Sequence, residues 1–111
     1  SRLIKSAKRS IILLDNYIDE SVLILLTKRI KNVTVKIYTR NIDNKLKLDI
    51  DRHNKQYPKI EVQEFNKCHD RFLIIDEQNV YHIGASLKDL GKKWFGFSKL
   101  DSKSLDLLKH L

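Results

Sequence analysis

Short apolar runs alternate along this chain with stretches of helical periodicity, and that alternation confines it to an α/β architecture. Leu3, Ile4, Ala7 and Ile11 fall at helical spacing and predict a short opening helix. Ile11-Ile12-Leu13-Leu14 is a continuous apolar run, short enough for a buried strand. Asp19 stands where an N-cap belongs, ahead of a stripe of Val22, Leu25, Leu26 and Ile30. Lys28, Arg29 and Lys31 then put cations near the helix C-terminus, where the dipole favours them. Val33, Val35 and Ile37 alternate with Thr34, Lys36 and Tyr38, a strand pattern. Ile42, Leu46 and Ile50 predict a second amphipathic helix, ending before Pro58. Ile60 and Val62 alternate with Glu61 and Gln63, and so polar a strand belongs at a sheet edge. Phe72-Leu73-Ile74-Ile75 is apolar throughout, as in a central strand covered on both faces. Glu77-Gln78-Asn79 reads as a turn into a strand over 80–84, which makes a hairpin. A loop or short helix over 86–93, a last strand over 95–97 and a closing helix with Leu105, Leu108 and Leu111 complete the expectation. The whole predicts one α/β domain over 1–111, a mixed β-sheet flanked by helices.

The bulk properties narrow the partners. A length of 111 residues with 41% hydrophobic residues suits one soluble globular domain. No apolar run approaches the roughly 20 residues needed to cross a bilayer, so no membrane partner is expected. The chain opens on Ser1 in a helical pattern and contains no Met, as expected of a piece of a longer protein. Cys68 is the single cysteine, so no internal disulfide can form, which fits a reducing, cytoplasmic setting. Lys and Arg number 22 against 14 Asp and Glu, a net charge of +8 that attracts polyanions, nucleic acid above all. A solvated, solubility-promoting surface is the competing reading of that charge.

One segment carries candidate chemistry. His69 and Arg71 are two apart at the start of the buried strand, so their side chains are expected on one side of it. Histidine titrates near neutrality and arginine can hold two phosphate oxygens in one plane, a pairing suited to a phosphodiester. Asp76 lies an odd number of positions from His69, so it is expected to face away and to satisfy backbone donors in the following turn. His69-x-Arg71-x(4)-Asp76, followed by Gly84 and Ser86, resembles the phospholipase D signature H-x-K-x(4)-D followed by G-S-x-N. The stretch from Ser10 to Asp19 looks like that superfamily's first strand and helix start, and Val33 to Thr39 like its second strand. Residues 69–75 and 80–98 resemble more narrowly a branch at the C-terminus of bacterial and phage DNA-associated proteins, some with an antirepressor-type DNA-binding domain.

The resemblance implies a phospholipase-D-like domain in which two copies of the motif complete one site. With one copy here, it implies a homodimer with both His69 side chains at the interface. One histidine would attack phosphorus to give a phosphohistidine and the other would protonate the leaving oxygen, with no metal and no cofactor. That is the nuclease, or metal-independent phosphodiesterase, reading. Three departures favour instead a site that binds nucleic-acid phosphates with turnover weak or lost. Arg71 replaces the lysine, Lys88 stands in place of the asparagine after Gly84-Ala85-Ser86, and no Asp or Glu lies between Asp89 and Asp101. Asp89 or Glu64 could supply the carboxylate, and Arg71, Ser86 and Lys88 the phosphate donors.

Other residues carry weaker signals. Lys92, Lys93 and Trp94 set cations beside aromatic rings, a composition that grips phosphates and stacks on bases. Cys68, His69 and His82 lack the second ligand pair of a zinc site, so no metal is expected. Cys68 then reads as a partly buried thiol, and Gly91 as the end of a short helix. His82 reads as a cross-strand packing residue, and His53 and His110 as solvated residues on polar helical faces.

Overall fold

The computed structural model describes residues 2–66, 71–83 and 97–100. The expected loop over 86–93 and closing helix lie outside the described residues, as do Cys68, His69, Gly84, Ser86, Lys88, Asp89, Gly91, Lys92, Lys93, Trp94 and His110.

The elements run α1 (Arg2–Ser6), β1 (Ser10–Leu14), α2 (Glu20–Leu26), β2 (Thr34–Thr39), α3 (Asn44–Gln56), β3 (Ile60–Glu64), β4 (Phe72–Ile75), β5 (Asn79–Ile83) and β6 (Phe97–Leu100). The strands form one six-stranded sheet in the order β3-β2-β1-β4-β5-β6. β1, β2 and β3 are parallel, whereas β4, β5 and β6 each pair antiparallel with the preceding neighbour in that order. This is the mixed α/β sheet that the alternation predicts. The first half is two consecutive β-helix-β crossovers, and handedness places both of their helices on one face.

Alternation along the strands sorts the core. Ile11 and Leu13 of β1, Val35 and Ile37 of β2, and Leu73 and Ile75 of β4 join Ile4, Val22, Leu26, Leu46 and Ile50 from the helices. The opposite face gathers Leu14, Tyr38, Phe72, Ile74 and Val80, with Phe65 set edge-on to Tyr38. Each fully buried Leu or Ile stabilises the fold by about 1.5–3 kcal/mol. β4 is buried at every position, as its unbroken apolar run requires.

Two boundaries differ from the sequence expectation. α2 stops at Leu26 because the Thr27 hydroxyl donates to Ile24 O and Arg29 Nη1 donates to Leu26 O, closing off its last carbonyls. Ile30 therefore leaves the helical stripe and is 46% exposed. The last strand runs on to Leu100, past the expected end at 97, because its pairing with β5 extends from Ile83↔Phe97 to Val80↔Leu100; residues 95 and 96 lie outside the described residues.

His53 corrects a third expectation. It is buried, not solvated, with its ring 5.1 Å from that of Tyr57 and its Nε2 3.4 Å from Arg29 Nη1. Leu46, Ile50 and His53 follow helical spacing, so His53 continues the inward stripe of α3 despite its polar neighbours. Burial, and then the charge of Arg29, lowers its pKa below the ordinary histidine value.

Candidate functional site

The carboxyl ends of the parallel strands meet the start of β4, and the side chains there change from apolar to polar in a single step. Leu13 pairs with Ile37 and Leu73, and Ile37 with Val62, an apolar row across four strands. Two residues further along β1, β2 and β3 on that face, and two back along β4, stand Asp15, Thr39, Glu64 and Arg71. The core thus ends in a polar row. Thr39 is buried, and its hydroxyl has no hydrogen-bond partner among the described residues.

Arg71 and Asp15 are brought together. Asp15 follows directly on Leu14 and its backbone N–H donates to Tyr38 O at 3.0 Å, which prolongs the sheet by one residue. Its side chain is fully buried, and Oδ1 lies 3.4 Å from Arg71 Nε. The same oxygen accepts the Tyr17 N–H at 3.0 Å, which fixes the turn toward α2. Arg71 keeps 32% of its side chain exposed, so its guanidinium runs from a buried carboxylate toward the surface. Burying a carboxylate this deeply requires a matching cation. Among the described residues Arg71 is the cation beside it, and the guanidinium's other N–H groups form a fork suited to an anion with two oxygens in one plane.

Beside this pair, the loops after β1 and β2 enclose a groove of about 440 Å³ that includes Tyr17, Asp19, Arg40 and Asp43. Its two carboxylates cap helices. Asp19 accepts the Ser21 N–H and Asp43 accepts the Leu46 N–H. Arg40 also lines a neighbouring groove with Glu64 and Phe65.

Asp76 sits at the other end of β4, far from Arg71. Its carboxylate accepts the backbone N–H groups of Lys8, Arg9 and Ser10 at 2.6–3.1 Å, and Arg9 Nη2 donates to its carbonyl at 3.0 Å. The donors thus belong to the lead into β1, not to the following turn as the sequence suggested. Desolvation pushes the Asp76 carboxyl upward, but the Arg9, Ser10 and Lys8 N–H groups and the Arg9 charge outweigh it and hold the pKa below the ordinary value. Asp76 and Glu77 have φ of 57° and 59°, as at the two central positions of a type I′ hairpin turn.

Two further residues are placed. His82 lies opposite Phe72 with ring centroids 5.4 Å apart, on the sheet face away from Arg71, in the cross-strand packing role expected of it. Glu64 is three strands from Arg71, roughly 14 Å at the usual strand spacing, and accepts the Ile42 N–H at 3.2 Å. It stands in the same polar row but is too far along it to contact Arg71. Sequence reasoning missed Asp15 as the partner of Arg71. The signal was an acidic residue directly after a four-residue apolar run, where a buried strand would place it at the edge of the core.

The class is thus an α/β domain with a mixed sheet and a polar row at its parallel strand ends. No family model and no curated protein matches the chain, so the likeness to the phospholipase D superfamily rests on the residue pattern. Among solved structures it is similar to TrmBL2, an archaeal chromatin protein whose structure shows a novel mode of DNA binding. The two share 23% identity and a TM-score of 0.56, over 98% of this chain and 43% of that one. At that identity the likeness is one of fold. The chain spans less than half the length of that neighbour. Among the described residues no helix is long and apolar enough to cross a membrane.

Proposed function

We propose that this chain is the phospholipase-D-like domain of a DNA-associated protein, and that it binds nucleic-acid phosphates around Arg71 with turnover weak or lost. The observation that carries the reading is Arg71 itself, a guanidinium anchored by a buried carboxylate and open to solvent at the parallel strand ends. In open α/β sheets ligands gather at that end. The net charge of +8 supplies the long-range attraction, and a fold shared with a chromatin protein that binds DNA adds support. His69, Ser86, Lys88, Lys92, Lys93 and Trp94 are proposed as further contacts, and a homodimer as the arrangement that brings two motifs together. The departures at Arg71 and Lys88 favour binding over cleavage.

The test uses the purified chain with labelled single- and double-stranded DNA in EDTA. The expected result is binding that weakens steeply with salt, no cleavage, and a salt slope that falls by about 1 in Arg71→Gln. Cleavage in EDTA that is abolished by His69→Ala would replace this reading with the phosphodiesterase. Absence of binding at low salt would remove both. A monomer at micromolar concentration in sedimentation would remove the shared site.

A further inference from the structure

We infer that Asp15 is a positioning residue that aims the Arg71 guanidinium, so that its outer edge meets two oxygens of one phosphate. The inference rests on the phosphate-binding reading and names the device that prepares the site.

A guanidinium has one N–H on Nε and two on each Nη, arranged in one plane. The Asp15 oxygen lies on the Nε side, 3.4 Å away, and the carboxylate is wholly enclosed. Asp15 is itself fixed, because the same oxygen accepts the Tyr17 N–H and its own N–H is tied to β2. Nε is the guanidinium nitrogen nearest Asp15, so the edge formed by Nη1 and Nη2 lies further from the carboxylate, and about a third of the side chain reaches solvent. Two parallel donors matched to two oxygens is the geometry in which arginine recognises a phosphodiester, and a lysine cannot reproduce it. An arginine held in this way before binding avoids the entropy cost of ordering a long side chain. Arg71 and Asp15 thus form a matched pair.

Asp15→Asn keeps the shape of the side chain and an acceptor for Tyr17, and removes the charge that holds Nε. Loss of that charge also favours a nearby phosphate, but this effect acts equally with Arg or with Lys at position 71. Comparing Asp15→Asn in the wild-type and Arg71→Lys backgrounds cancels it and leaves the aiming. We expect Asp15→Asn to be less favourable for DNA affinity by about three- to tenfold in the wild-type background than in Arg71→Lys. Agreement within twofold overturns the inference, and so does wild-type affinity in Arg71→Lys alone.

A measurement without DNA separates this from failure of the phosphate reading. The Arg71 Nε–H should give a resolved, exchange-protected NMR resonance in the wild type that is lost in Asp15→Asn. A protected resonance with no DNA binding removes the function and keeps the ion pair. An unprotected resonance in the wild type removes the positioning role. Where Asp15→Asn does not fold, Asp15→Glu keeps the charge and displaces the fork, and the same comparison applies.

Discussion

β4 carries a charged residue at each end, and the two are held in opposite ways. Asp76, just past its last residue, gives its carboxylate to three backbone N–H groups and its carbonyl to the Arg9 side chain. Arg71, just before its first residue, is held among the described residues by one buried carboxylate beside its Nε, and reaches solvent. A side chain that backbone donors saturate is committed to the fold. One anchored through a single edge has capacity left for a ligand. The motif that runs through both residues therefore divides into a half committed to the fold and a half that carries the proposed binding.

The largest effect should come from the Arg71 end. Arg71→Ala removes the cation 3.4 Å from the buried Asp15 carboxylate, and the expected loss is up to about 3–5 kcal/mol in denaturant unfolding. Asp15→Asn added to that variant should recover part of the loss by removing the buried charge. If Arg71→Ala instead unfolds like the wild type, the contrast between the two ends collapses.

Asp76→Ala comes next, with about 1.5–3 kcal/mol lost as the backbone donors lose a charged acceptor. The pH dependence has a definite sign. The folded pKa of Asp76 is depressed, so its contribution is complete above the unfolded value of about 3.9 and is lost as pH falls through the folded one. Thermal melts of wild type and Asp76→Ala should therefore converge in acid, and DNA affinity at neutral pH should be equal for the two. A large loss of affinity in folded Asp76→Ala would merge the two halves of the motif.

The smallest effect belongs to Glu77, whose φ of 59° suits glycine better than a residue with a Cβ. Glu77→Gly should stabilise by about 0.5–1 kcal/mol, the steric relief exceeding the added entropy of the unfolded chain. A destabilised variant would mean that the turn, and not only the Asp76 carboxylate, needs that side chain.

Most of the sheet was legible because periodicity reports which faces are covered. β1, β2, β3 and β4 announce themselves by apolar runs or alternation, and Asp19 announces α2. The limits of α2 and β6 were not legible, since a Thr27 hydroxyl bond and a pairing with β5 set them. His53 was misread because its neighbours are polar, although its spacing from Leu46 and Ile50 marks it as inward. At the site, the sequence separated Asp76 from Arg71 by parity along the strand. It could not supply the partners of either, because Asp15 and the N–H groups of residues 8–10 are more than fifty positions away and only the sheet order brings them near.

The position of β1 between a parallel and an antiparallel neighbour bears on how the protein is made. Once residue 64 has left the ribosome, β1, α2, β2, α3 and β3 can assemble, since their crossovers join neighbours in the chain. The other flank of β1 then stays open, with its backbone groups unpaired, until β4 and the Asp76 carboxylate arrive. At ordinary synthesis rates that wait lasts on the order of a second. During it the flank of β1 that β4 covers in the finished sheet is open to pairing with any strand nearby.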